Sequence, residues 1–418
     1  MQNSNIKFRL IVLSFLQFAV WGAYLTSMGR YLGGYGLGAN IGWFYSVQGF
    51  VSIFMPAVMG FVADRWVPAQ RLLAFCHLVA AFFMAITGYI GMREGVDVAF
   101  NEIFWTYTLS VAFYMPTLAL SNSVSYTALD KAGLDKVRVF PSIRVFGTLG
   151  FVVSMLFVDY IGFQNNYNQF LTSSAWGFIL AVYSLSLPRC SVNKGDEKRT
   201  LLSALGFDAF KLFAKKRLAV FFVFSMLLGA ALQISNGYAN PFIKGFGDMP
   251  EYSGTFAVEH TNVLISLSQI SEILCILLIP FFLGKFGIKR VMLIAMLAWV
   301  LRFGFLAIGN PGVPGVLFFV LSMLVYGVAF DFFNISGSLF VDNEVSESMR
   351  SRAQGLFLLM TNGLGASLGV IAAQEIVNFF TKNQTNFAGW STAWYIFAFY
   401  ALVIAILFKF VFKEKKTG

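Results

Sequence analysis

Charge is scarce in this chain. Only 12% of its 418 residues are Asp, Glu, Lys or Arg, against roughly 25% in soluble domains, so a water-soluble globular fold is excluded. Cysteine is nearly absent as well: Cys76, Cys190 and Cys275 stand apart, with neither metal-ligand spacing nor a disulfide framework. The two histidines, His77 and His260, join no Cys or His cluster, so no metal site is expected. With no Ser-His, Cys-His or metal constellation, the parts that an enzyme needs are missing. A sensor's soluble output domain is missing too, because the longest hydrophilic segment is too short to hold one. The net charge of +10 forms no stripe but is scattered through short loops, which excludes nucleic acid as a partner.

What the chain does have is apolar length. Hydrophobic residues make up 58%, with 49 Phe. Runs of about twenty apolar residues span a bilayer as helices, and such runs occupy about 8–28, 41–62, 71–92, 102–126, 141–160, 168–187, 218–241, 259–283, 288–308, 313–338, 353–380 and 390–412. The expected fold class is therefore an all-α integral membrane protein with twelve transmembrane helices in two six-helix halves. The first run carries no small-residue cleavage site and is expected to be retained as a helix, not removed as a signal peptide. The expected organisation is an N-terminal half over 1–188, a central loop over 189–217 and a C-terminal half over 218–418. Within the loop, Leu202, Leu205, Phe210 and Phe213 recur at helical spacing opposite Asp208, Lys211 and Lys215. That pattern predicts either an amphipathic helix on the membrane surface or an exposed linker helix. Of the 30 Lys and Arg residues, all but Arg30, Arg93, Lys244, Lys382 and the intrahelical Arg144 and Arg302 fall in alternate loops beginning with the N-terminus. The positive-inside rule then puts both termini and the central loop in the cytoplasm.

One residue in these runs stands out. Asp331 lies in Phe330-Asp331-Phe-Phe-Asn334-Ile-Ser336-Gly-Ser338, deep in the tenth run with no basic neighbour there. A carboxylate in hydrocarbon costs several kcal/mol, so it is rare and by default functional. Asn334 and Ser338 follow at helical spacing and share its side. A carboxylate that merely pins two helices is the competing reading, although such glue is more often Ser, Thr or Asn. Other polar residues also pair by face: Arg144, Thr148 and Phe151 in the fifth run, Gln233 and Asn236 in the seventh, and Gln269 and Glu272 in the eighth. With Tyr326 and Phe330 they offer amides, carboxylates, one guanidinium and aromatic faces, an inventory suited to a neutral polar solute with a flat ring. Each pair alone could equally be interhelical glue. Arg302, near the outer end of the ninth run, is expected to snorkel to the interface. Trp21, Trp105 and Trp390 are expected in the interfacial aromatic belt.

Several motifs then converge on a known family. Gly60-Phe-Val-Ala-Asp64-Arg65 with Arg71 resembles the signature loop of the major facilitator superfamily, and Gly284-Lys285-Phe-Gly287-Ile-Lys289-Arg290 is its degenerate partner. In that loop the glycine is expected to allow close helix approach. Ser14-Phe-Leu-Gln-Phe18 with Trp21-Gly22, Tyr114-Met-Pro116-Thr117, Ile143-Arg144-Val-Phe-Gly147-Thr148, Gln269-Ile-Ser-Glu272, Leu301-Arg302-Phe and the Asp331 stretch together resemble the bacterial nucleoside:proton symporter family. The resemblance covers nearly the whole chain. It implies proton-coupled nucleoside uptake across the bacterial inner membrane by alternating access, with the proton as coupling ion and no other cofactor. It assigns Arg144, Thr148, Phe151, Gln233, Asn236, Gln269, Glu272, Tyr326 and Phe330 to the substrate and Asp331 to proton coupling, with Glu272 as the second acid. The expected partners are a nucleoside and the lipid bilayer, and the expected assembly is a monomer. A proton-coupled carrier of another neutral polar solute, such as a sugar, is the alternative.

Overall fold

In hydrocarbon a backbone must satisfy its own hydrogen bonds, and the long apolar runs of this chain do so as helices. The computed structural model describes residues 2–190, 207–346, 349–383 and 386–413. Among these, the helices are α1 (Gln2–Gly22), α2 (Met28–Gly34), α3 (Ile41–Arg65), α4 (Ala69–Glu94), α5 (Phe100–Lys131), α6 (Lys136–Tyr160) and α7 (Asn168–Ser186). They continue with α8 (Lys216–Gly245), α9 (Phe256–Glu259), α10 (Thr261–Ile308), α11 (Val316–Glu344), α12 (Arg350–Leu358), α13 (Ala366–Thr381) and α14 (Gly389–Val411). A π-helical stretch, Leu359–Gly365, joins α12 to α13.

The eighth and ninth runs meet inside α10. Gly287 breaks the helix there with φ +74°, a left-handed conformation that only glycine adopts at no steric cost. The two spans on either side are therefore one continuous stretch with a corner, and Lys285, Lys289 and Arg290 gather around the bend. The first run is split instead: α1 ends at Gly22, and the short α2 follows after a turn.

The chain forms two compact units, Met1–Leu37 with Phe50–Leu205 and Gly38–Gly49 with Gly206–Gly418. In the first, α1 packs on α6 and α7, and α4 packs on α5 and α7. In the second, α11 runs along α10, while α8 packs on the π-helical stretch and α13.

Two expectations are corrected here. Leu202 and Leu205 of the central loop lie outside the described residues. The described part, Phe207–Ala214, winds as a 3-10 helix, and its buried side chains are Ala209 and Leu212, while Phe210 is 41% exposed. It packs against α8 and α12, and the Phe210 and Phe213 rings stack on each other, 5.9 Å apart. Of the three tryptophans expected in the belt, Trp105 has the exposure of a belt residue, at 60%. Trp390 is 3% exposed and packs among Tyr238, Phe242 and Trp394, and Trp21 packs between Phe18 and Tyr114. Neighbouring aromatic rings bury Trp390 and leave Trp21 half-buried, and position along the helix does not reveal that.

Candidate functional site

In the first unit a cluster of four polar side chains bond one another. Gln17 of α1 donates through Nε2 to Thr117 Oγ1 at 2.8 Å, and Thr117 Oγ1 donates to the Tyr114 carbonyl at 2.5 Å. The Tyr114 hydroxyl donates to the Gln17 carbonyl at 2.7 Å. With its amide nitrogen thus engaged, Gln17 accepts through Oε1 from His77 Nε2 at 2.9 Å, which assigns the His77 proton to Nε2. This network ties α1, α4 and α5 together and is buried throughout.

Arg144 is different. Its guanidinium lies over the Phe18 ring, 3.8 Å from the centroid, and the side chain is half-buried. A guanidinium is weakly hydrated and stacks readily on an aromatic face, and Phe18 supplies that face. Thr148, one turn further along α6, is half-buried, and Phe151 is buried.

The second unit holds Asp331 and Glu272. Gly327 of α11 packs directly on Ser271 of α10, where a Cβ would sit 2.5 Å from the Ser271 carbonyl oxygen. The Ser271 hydroxyl donates to the Leu324 carbonyl and accepts from the Gly327 N–H at 3.3 Å. Close contact at that level brings Glu272, the next residue on α10, near enough to Asp331, one turn along α11, for their charges to interact. Asp331 is 5% exposed, and its Oδ2 has no hydrogen-bond partner. It therefore points into the unit and not at lipid. Glu272 is half-buried.

Aromatic faces flank the acids. Tyr326 and Phe330 stack nearly parallel, 5.7 Å apart and 10° from coplanar, because i and i+4 side chains lie one above the other on a helix. Trp299 meets Tyr326 edge-on at 6.0 Å. On α8, Gln233 is buried with Oε1 unpartnered, while Asn236 and, on α10, Gln269 are half-buried. The other two polar residues of the Asp331 face go elsewhere. Asn334 donates to the Phe330 carbonyl at 3.0 Å, and Ser338 donates to Gln354 Oε1 at 3.0 Å, which pins α11 to α12.

Arg302 does not snorkel. It is 2% exposed and bonds three elements at once: Nη2 donates to Ser235 Oγ of α8 at 2.6 Å, and Nη1 to the Ser322 carbonyl of α11 at 2.8 Å and to Ser268 Oγ on the first span of α10 at 3.4 Å. Its guanidinium carbon lies 4.6 Å from the Tyr326 ring centroid. Ser, Ser and an aromatic face converge on it from three directions, so inward bonding replaces the aqueous interface that snorkelling would seek. The signature loops also differ from expectation. A Cβ at Gly60 or Gly284 would meet no heavy atom within 4 Å, so neither glycine makes a close helix approach, and Arg65 lies over the Phe61 ring at 4.4 Å.

Comparison with known proteins gives the family and the fold. The model of the nucleoside H+ symporter family matches residues 4–417. The chain is 46% identical to the xanthosine permease of Escherichia coli over 98% of its own length and 96% of that protein's. To the nucleoside permease NupG of the same organism it is 45% identical, over 98% of this chain and 97% of the permease. A crystal structure of nucleoside transporter NupG superposes with a TM-score of 0.89 at 44% identity, covering 98% of this chain and 100% of that one. The twelve-span, all-helical arrangement is the major facilitator fold. With nearly every residue matched, this chain belongs to the nucleoside H+ symporter family.

Proposed function

We propose that this protein imports nucleosides together with protons by alternating access. The carrying observation is Asp331, a buried carboxylate with one oxygen unpartnered, within electrostatic reach of a second acid and next along the helix to a stacked aromatic pair. A charged carboxylate enclosed in hydrocarbon is costly. Proton uptake from the outer side removes that cost, so the loaded carrier can close, reopen inward and release both proton and solute. A neutral nucleoside then moves with one positive charge, and the membrane potential contributes about 2.3 kcal/mol per charge per 100 mV. No cofactor beyond the proton enters this scheme.

The substrate residues follow from chemistry. Gln233, Asn236, Gln269 and Glu272 supply the donors and acceptors that ribose hydroxyls and base edges require. Tyr326, Phe330 and Phe151 supply faces for the base. Arg144 and Thr148 orient one end of the solute. The distribution of Lys and Arg supports cytoplasmic termini, in the bacterial inner membrane, with a monomer as the working unit built from halves 1–188 and 218–418 and the loop 189–217.

Counterflow in proteoliposomes tests this reading. Labelled uridine should accumulate transiently against trapped unlabelled uridine, and adenosine should compete where lactose does not. Competition by lactose with none by nucleosides would assign the chain to sugars instead.

A further inference from the structure

Beside Phe330, inside the second unit, lies an open pocket of about 290 Å³ lined by Leu232, Trp299, Phe330, Phe333, Asn334 and Asn362 among others. Its floor is formed by Gly229 of α8 in direct contact with the Thr361 carbonyl. The enclosed part has room for about one or two water-sized groups, and the rest is open. Asn362 belongs to the π-helical stretch Leu359–Gly365. Such turns are rare and concentrate at functional sites, because the wider turn re-aims side chains.

The two amides at this pocket are chemically distinct. Asn334 spends its Nδ2 on the Phe330 carbonyl, which fixes the amide plane and leaves Oδ1 to accept from an incoming N–H. Asn362 is exposed and keeps both donor and acceptor. Between them the walls are aromatic and aliphatic.

We infer that this pocket is a subsite for the edge of the nucleobase and that Asn334 and Asn362 discriminate among bases. A ribose fits it poorly, because several hydroxyls would face apolar walls. A base edge fits it well: the flat ring lies along Phe330 and Trp299, one exocyclic oxo or amino group enters the enclosed part, and adjacent ring donors and acceptors meet the two amides. Asn334 Oδ1 selects an N–H, from an amino group or a protonated ring nitrogen. Asn362 reads its neighbour and can present either polarity. This inference rests on the chain being a nucleoside carrier and adds which residues set its preference.

The test uses the full chain in proteoliposomes. Counterflow of labelled uridine is measured against unlabelled uridine, cytidine, adenosine and inosine and against their 2′-deoxy forms, for the natural protein, Asn362→Leu and Asn362→Gln. In Asn362→Leu the ranking among bases should shift by roughly five- to tenfold, the size of one hydrogen bond, while the ribo-to-deoxy ratio stays put. Asn362→Gln should recover part of the original ranking. Should a variant not transport, calorimetric binding of uridine and cytidine to the solubilised protein supplies the same ratio. Weakening of all competitors by one common factor, an unchanged ranking, or a shift confined to the ribo-to-deoxy ratio would overturn the subsite. Failure of every nucleoside to drive counterflow in the natural protein would instead overturn the nucleoside reading itself.

Discussion

Two buried polar clusters, one from each unit, differ in how far their side chains meet one another. In the first, Gln17, Thr117, Tyr114 and His77 bond one another, with His77 Nδ1 left over. The result is neutral glue, of the kind that fastens helices where no hydrophobic force distinguishes helix from lipid. In the second, Asp331 Oδ2 and Gln233 Oε1 are buried without a partner, the charges of Asp331 and Glu272 interact, and Arg302 is held by serines and a ring. An unpartnered buried group costs stability, so it persists where something else is meant to meet it. The contrast separates polar residues that build the scaffold from those left open for proton and solute.

That contrast can be broken by mutation. Asp331→Asn should produce the largest effect, with accumulation driven by a pH gradient abolished and exchange of labelled for unlabelled nucleoside retained in part. Full concentrative uptake by this variant would remove Asp331 from proton coupling. Gly327→Val comes next, because a side chain there collides with the Ser271 carbonyl and must push α11 away from α10. Initial uptake rates should fall at least tenfold, a cost of about 1.4 kcal/mol or more, and an unaffected rate would show that the acids need no such closeness.

Two milder substitutions sharpen the distinction between glue and site. Gln17→Ala orphans His77 Nε2 and deprives Thr117 of a donor, at about 1–3 kcal/mol of stability. The melting temperature of the detergent-solubilised protein should drop, while KM for nucleoside should not move. Gln233→Ala should do the reverse, raising KM several-fold as one hydrogen bond to the solute is lost, with melting little changed because Oε1 is unpartnered within the protein. If both variants shift the same quantity, the division between the units is wrong.

Much of the architecture was legible in the sequence. Runs of apolar residues predict spans because hydrocarbon admits little else, and the break between the eighth and ninth runs falls at the bend around Gly287. The faces of α11 were legible too, since helical spacing alone stacks Phe330 on Tyr326. Position along a run was a poor guide to depth in the packing. Arg302 near a span end reads as a snorkelling residue, and Trp390 as a belt residue, yet both are buried by groups from distant parts of the chain.

The sequence by itself determined that this chain spans a membrane, that it does so about twelve times, and that one acid is committed to hydrocarbon, because each of these depends on composition along a single segment. Only the tertiary structure decided which polar residues meet. The closeness of Glu272 and Asp331 depends on Gly327 lying against Ser271, the holding of Arg302 on three helical segments converging, and the exposure of Asn362 beside Phe330 on a π-turn. Those are distances between segments, and no local pattern encodes them.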